Sequence, residues 1–180
     1  LHHAAAGGHL KIVRLLLNRT SARYNYLTSS DKEGKTALHL SSEMGHIKIV
    51  TLLLGSVGGS NKRDYLNMMD KKGYTALHLS ANNGHLAVEK ILIRHGADLE
   101  LKEKKGRPPR HVAVEKAHST SGTLRLDNIR DKQALINSQD KKGKTPLHTA
   151  AELGHLAIVK QLVLARPNQR AKLDVKDKEG

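Results

Sequence analysis

Histidine is the residue type in this chain most able to do chemistry, because a neutral imidazole can ligate a metal or pass a proton near neutral pH. There are 12 histidines in 180 residues, and ten of them fall into two series. His2, His39, His78, His111 and His148 share one recurring position; His9, His46, His85, His118 and His155 share another, leaving His3 and His95 outside. A group used once per period reads as a structural device. The first series follows a threonine by three residues where that threonine is present, which suits a hydrogen bond tying a loop to a helix; the second opens a further helix. A zinc site would call for H-x-x-x-H pairs, a nearby carboxylate or cysteine ligands, and these patterns are missing. There is no G-x-S-x-G elbow, no serine or cysteine nucleophile with a matched base, and no carboxylate cluster. The chain reads as non-enzymatic, with no cofactor and no metal.

The elements that carry these histidines are clearest between Asp70 and Lys102, in the stretch DKKGYTALHLSANNGHLAVEKILIRHGADLELK. Asp70 and Gly73 set a turn, since the carboxylate accepts local N–H groups and glycine tolerates positive φ. Thr75 reads as the N-cap of a first helix. Leu77, Ser80 and Ala81 form an i, i+3, i+4 face whose small members let another helix approach closely. Gly84 ends that helix. Val88, Ile91 and Leu92 give a second helix its apolar stripe, and Gly96 suits a left-handed C-terminal position. Two short helices with one apolar face each cannot make a core alone, whereas stacked copies can.

The copies are present. Thr75-Ala76-Leu77-His78 with Gly84-His85 returns as Thr36-Ala37-Leu38-His39 with Gly45-His46, as Thr145-Pro146-Leu147-His148 with Gly154-His155, and in part as Leu1-His2 with Gly8-His9. On these motifs nearly the whole chain resembles an ankyrin repeat array. The resemblance implies an all-α fold: an ankyrin repeat solenoid of stacked helix-turn-helix units joined by turn or hairpin fingers.

The register divides the chain into one array: a partial repeat at 1–30, repeats at 31–69 and 70–102, a degenerate repeat at 103–139, a fifth at 140–176, and the start of another at 177–180. Because the pattern opens inside one repeat and closes at the beginning of another, the array is expected to continue in both directions. The run Gly55-Ser56-Val57-Gly58-Gly59-Ser60 fails the phosphate-loop pattern and follows a helix, so it reads as a flexible insertion. In the degenerate repeat Pro108 replaces the capping threonine, Arg110 the core leucine and Ala117 the helix-ending glycine, while Val114 stands where other repeats have a small residue. Arg110 is read either as a buried charge without a partner or as a side chain turned outward over an underpacked site, and both readings make this repeat the weakest joint. Leu124, Ile129 and Leu135-Ile136 are expected to rebuild its second helix. The loop after His118 is either a surface loop in a drifting repeat or a contact loop.

Lysine and arginine number 31 against 17 acidic residues, a net charge of +14 that favours acidic partners or anionic surfaces. Tryptophan, phenylalanine and cysteine are absent, so the core is aliphatic, and the chain forms no disulfide or thiolate metal site and suits a reducing compartment. The longest apolar runs, such as Ile49–Leu54, fall far below the ~18 residues of a membrane helix, and no signal peptide is visible.

The resemblance places partner contacts on a concave face made by finger tips and first helices. The tip positions are Lys32, Glu33 and Lys35; Lys71, Lys72 and Tyr74; Lys104, Lys105 and Arg107; and Lys141, Lys142 and Lys144, of which ten are basic and one acidic. First-helix ends add Met44, Asn82, Asn83 and Leu153. The expectation is a protein-binding scaffold, non-catalytic, cytoplasmic or nuclear, within a larger protein, meeting an acidic segment of its partner. Two alternatives stand beside it: a basic array binding nucleic acid or an anionic membrane surface, and the regulatory arm of an enzyme or ion channel.

Overall fold

A computed structural model describes residues 1–19, 23–118, 136–164 and 170–179. The described elements are helices, and among them no β-strand occurs. Inner helices α1 (His2–Ala6), α4 (Ala37–Glu43), α7 (Ala76–Asn82), α9 (Pro109–Glu115) and α10 (Pro146–Glu152) stack in chain order, each packed on the next. Outer helices α2 (Leu10–Asn18), α5 (Ile47–Gly55), α8 (Leu86–Arg94) and α11 (Leu156–Leu164) lie behind them, with α5 between α2 and α8. Two short helices, α3 (Arg23–Thr28) and α6 (Asn61–Leu66), close the first two repeats.

Each regular repeat starts the same way because the same local chemistry recurs. Asp70 Oδ1 accepts the N–H groups of Lys72 and Tyr74, both at 2.8 Å, and so folds the finger back on itself. Asp31 and Asp140 do likewise, and Glu103 reaches the equivalent N–H groups of Lys105 and Arg107 with its longer side chain. Thr36, Thr75 and Thr145 then cap α4, α7 and α10 in the extended conformation an N-cap requires. Seven-residue helices are too short to persist alone, so their stability comes from stacking.

The glycine run holds one apolar anchor within residues that are otherwise exposed or half-buried. Gly55 closes α5, Val57 is buried, and the chain turns directly into α6, which buries Tyr65 and Leu66. The reason is apolar content: all three side chains join the core beneath α5, as Leu27 of α3 does one repeat earlier. Periodicity alone could not find a six-residue helix. In the fourth repeat Ile136 is buried, while Leu124, Ile129 and Leu135 lie outside the described residues.

Buried apolar side chains among the described residues form two clusters. One runs from Ala4 to Ala97 through the first three repeats; the other unites Val114, Ile136, Ala150, Ile158, Leu162 and Ala171. Across the boundary, α7 and α9 pack directly on each other. There Arg110 is half-buried, and its pKa is pulled down to about 10 by burial and pushed back up by the Glu89 carboxylate, itself only 2 % exposed. The expectation of an unpartnered charge is therefore wrong. Arg110 interacts electrostatically with a buried acid contributed by the preceding repeat.

Candidate functional site

The two histidine series turn out to clip each repeat in opposite directions. In the first, Nε2 donates forward along the chain: His39 to the carbonyl of Met68, at the end of its own repeat, and to that of Tyr74 in the next, at 2.9 and 3.1 Å, His78 to Arg107 of the next repeat at 3.1 Å, and His111 to Lys144 of the next repeat at 2.9 Å. Because Nε2 must carry the proton, Nδ1 is an acceptor, and it takes the N–H of the capping threonine at 3.1 Å in Thr36 and 3.2 Å in Thr75. His111 departs from this pattern. Pro108 has neither N–H nor hydroxyl to offer, and His111 Nδ1 is buried without a partner among the described residues. Burial pushes His39 below the ordinary histidine range and His78 and His111 down to about 4, so these rings are neutral scaffolding.

The second series reaches backward. His46 Nε2 donates to Ala6 O, His85 to Glu43 O and His118 to Asn82 O, each at 2.9 Å. Glycine makes the approach possible: a Cβ on Gly8, Gly45 or Gly84 would lie 2.7–2.8 Å from the ring of His46, His85 or His118. The helix-ending glycine of one repeat is thus also the clearance for the next repeat's imidazole. This role was not visible in one unit read alone. Among the described residues no group of three or more histidines and acids is placed to hold a metal ion, and no helix is long and apolar enough to cross a membrane.

The finger tips divide into two kinds of position. Lys32, Lys71, Lys72, Lys104, Lys105, Lys141 and Lys142 are exposed, whereas Lys35, Tyr74, Arg107 and Lys144 are half-buried and turned inward. The inward set braces each finger against its own inner helix. Lys35 pairs with Glu43 at 2.6 Å, Lys144 with Glu152 at 2.7 Å, and Arg107 with Glu115. Arg107 also bonds Glu103 at 3.0 Å and the Tyr74 hydroxyl at 3.1 Å. Burial tends to raise the Glu103 pKa, but Arg107 and two backbone N–H groups outweigh it and hold the carboxyl below its ordinary value. Tyr74 meets the His78 ring edge-on at 5.6 Å, and burial first of all raises its hydroxyl's pKa. These four sequence candidates are committed to the scaffold, and the i, i+8 spacing of base to glutamate is the signal that would have found the braces.

Successive fingers are joined through backbone. Lys71 N–H donates to Glu33 O at 2.9 Å, Lys104 N–H to Lys72 O at 3.2 Å and Lys178 N–H to Lys142 O at 3.0 Å, while Lys141 Nζ reaches Lys104 O at 2.6 Å. Between the fourth and fifth repeats lies a groove of about 540 Å³ whose lining includes Lys105, Arg107, Lys141, Lys142, Lys144 and Leu153. Six of the sequence candidates meet there. Met44 and Leu153 stand about half exposed at the ends of α4 and α10, at 51 % and 46 %. Asn83 is exposed at the end of α7 and Asn82 half-buried beside it; the Asn83 amide bonds Leu79 O, and the Asn82 carbonyl is spent on His118.

Repeated finger, capped inner helix, glycine–histidine corner and outer helix, each clipped to its neighbours, leave little freedom in the assignment. Models for ankyrin repeats in three copies match residues 1–65 and 57–131, and a single ankyrin repeat matches 142–178. The chain belongs to the ankyrin repeat family. Ankyrin repeats are in general protein–protein interaction modules and typically non-catalytic, so the exposed finger tips and inner-helix ends of this array are its candidate functional surface.

Proposed function

We propose that this chain is a non-catalytic docking array of the cytoplasm or nucleus, taking an acidic segment of a protein partner along its fingers and inner-helix face. One observation carries the reading. While the inward finger bases are bound up in internal braces, the outward ones are doubled and exposed in three successive fingers, as Lys71-Lys72, Lys104-Lys105 and Lys141-Lys142. Such charges speed encounter with an acidic partner more than they prolong the complex. The test compares the chain with the variant K71Q/K72Q/K141Q/K142Q, capturing partners from nuclease-treated lysate across a salt series. The expected result is weaker capture at low salt and a shallower salt dependence. Equal capture and equal salt slope would remove the lysines from the reading and leave Met44 and Leu153 as the contact surface.

A further inference from the structure

Resting on that reading, we infer that the occupant of the finger tips is a short polyproline-II segment bearing an acidic side chain at every third residue, over about seven residues. The spacing of the tips matches that of such a segment. Lys72 O accepts the Lys104 N–H at 3.2 Å, so one finger is separated from the next by a hydrogen-bonded step and a single residue. A hydrogen-bonded backbone step is about 5 Å and consecutive Cα atoms are about 3.8 Å apart, which limits the distance from Lys71 to Lys104 to about 9 Å. At the next junction the link is a side-chain one, Lys141 Nζ donating to Lys104 O at 2.6 Å, and the fingers approach as closely: a Cβ on Gly73 would lie 3.1 Å from Lys104 N, and one on Gly106 would lie 2.8 Å from Lys141 N.

An extended peptide can answer a step of this length in two ways. In a β-strand, residues three apart point to opposite faces, so alternate acids would miss the tips. In polyproline II, three residues make one turn of about 9.3 Å and return to the same face. The strand's same-face repeat of two residues, about 6.7 Å, falls short of a step near the limit of about 9 Å, whereas the polyproline II turn matches it and sets carboxylates above consecutive lysine pairs.

The length follows from where the charge stops. The flanking fingers carry Lys32-Glu33 on one side and Lys178-Glu179 on the other, and these mixed tips bracket the three doubled ones. Two steps of about 9 Å require acids at the first, fourth and seventh residues. A single-stranded nucleic acid is the lesser fit, because binding one draws on aromatic rings free to stack bases. The tyrosine of this edge, Tyr74, is half-buried and holds Arg107 through its hydroxyl.

The experiment uses two labelled peptides of one composition, Glu-Pro-Pro-Glu-Pro-Pro-Glu and Glu-Glu-Glu-Pro-Pro-Pro-Pro, with an oligothymidylate as a third probe, in fluorescence anisotropy at low salt. The spaced peptide is expected to bind about tenfold more tightly than its clustered isomer, the worth of engaging two further lysine pairs. K104Q/K105Q should weaken the spaced peptide about fivefold, whereas K48Q/K90Q on the outer helices should leave it within about twofold. Equal affinity for the two isomers, or binding of neither while lysine-dependent capture of a lysate protein persists, would overturn the spacing and leave the docking reading intact. Tighter binding of the oligothymidylate than of either peptide would overturn both.

Discussion

Glu89 and Arg110 are coupled electrostatically across the boundary between the third and fourth repeats, each at a position that Leu- and Val-bearing sister repeats fill with an apolar side chain. Glu89 aligns with Val13, Val50 and Val159, and Arg110 with Leu38, Leu77 and Leu147. The Glu89 charge supports the guanidinium against its own burial. Two substitutions that would each be damaging alone have become compatible together, and they lie between the two apolar clusters of the array.

Removing one partner strands the other in low dielectric, so Glu89→Val or Arg110→Leu alone should cost about 3 kcal/mol of unfolding free energy. The double change E89V/R110L restores the apolar pairing of the other junctions and should be neutral or stabilising relative to the natural chain. Urea unfolding of the four chains measures the coupling. Additive losses in the double variant would mean that the two residues act independently.

Ala117 and His155 show the same dependence between neighbouring repeats. Ala117 stands where the other repeats have glycine, at φ 59°, and its Cβ occupies the space that elsewhere admits the next repeat's histidine ring. His155 Nε2 is buried without a partner among the described residues, whereas His46, His85 and His118 each donate to the preceding repeat. Ala117→Gly should relieve left-handed strain and let His155 reach the Glu115 carbonyl, gaining about 1–2 kcal/mol. Thermal unfolding reads the gain, and repeating it with His155→Ala should recover only the strain component.

Acid should loosen the array before it neutralises its carboxylates. His78 and His111 are depressed from 6.5 to about 4 by burial, so between these values the unfolded chain binds protons that the folded chain does not. Stability then rises with pH through the window and levels off above pH 6.5 for these groups. At pH 5 the loss should approach ~2 kcal/mol per histidine relative to neutral pH. Urea midpoints at successive pH values check this, and His78→Gln should make the dependence on pH shallower. An unchanged midpoint from neutral pH to pH 5 would show that these rings titrate normally in the folded state.

What the sequence by itself determined is the turn, cap, inner helix and corner of each repeat. Asp70, Thr75, His78 and Gly84 sit within a few residues of the groups they bond or the turn they shape, so residue type and spacing were enough to read turn, cap, inner helix and corner, and their recurrence gave the array. Tertiary structure decided whatever depends on two repeats at once. That Gly45 clears the ring of His85, that Glu89 supports Arg110, and that Arg107 is held by the Tyr74 hydroxyl of the preceding finger all follow from stacking, which brings residues some 20 to 40 positions apart into contact. The short helices α3 and α6 belong here too, since Leu27, Tyr65 and Leu66 become helical by finding a core to enter. The physical reason is common to all of these: an isolated repeat satisfies its own turn, cap and finger brace, but its outward ring nitrogens, its glycine corner and its apolar faces are completed by the repeat before or after it.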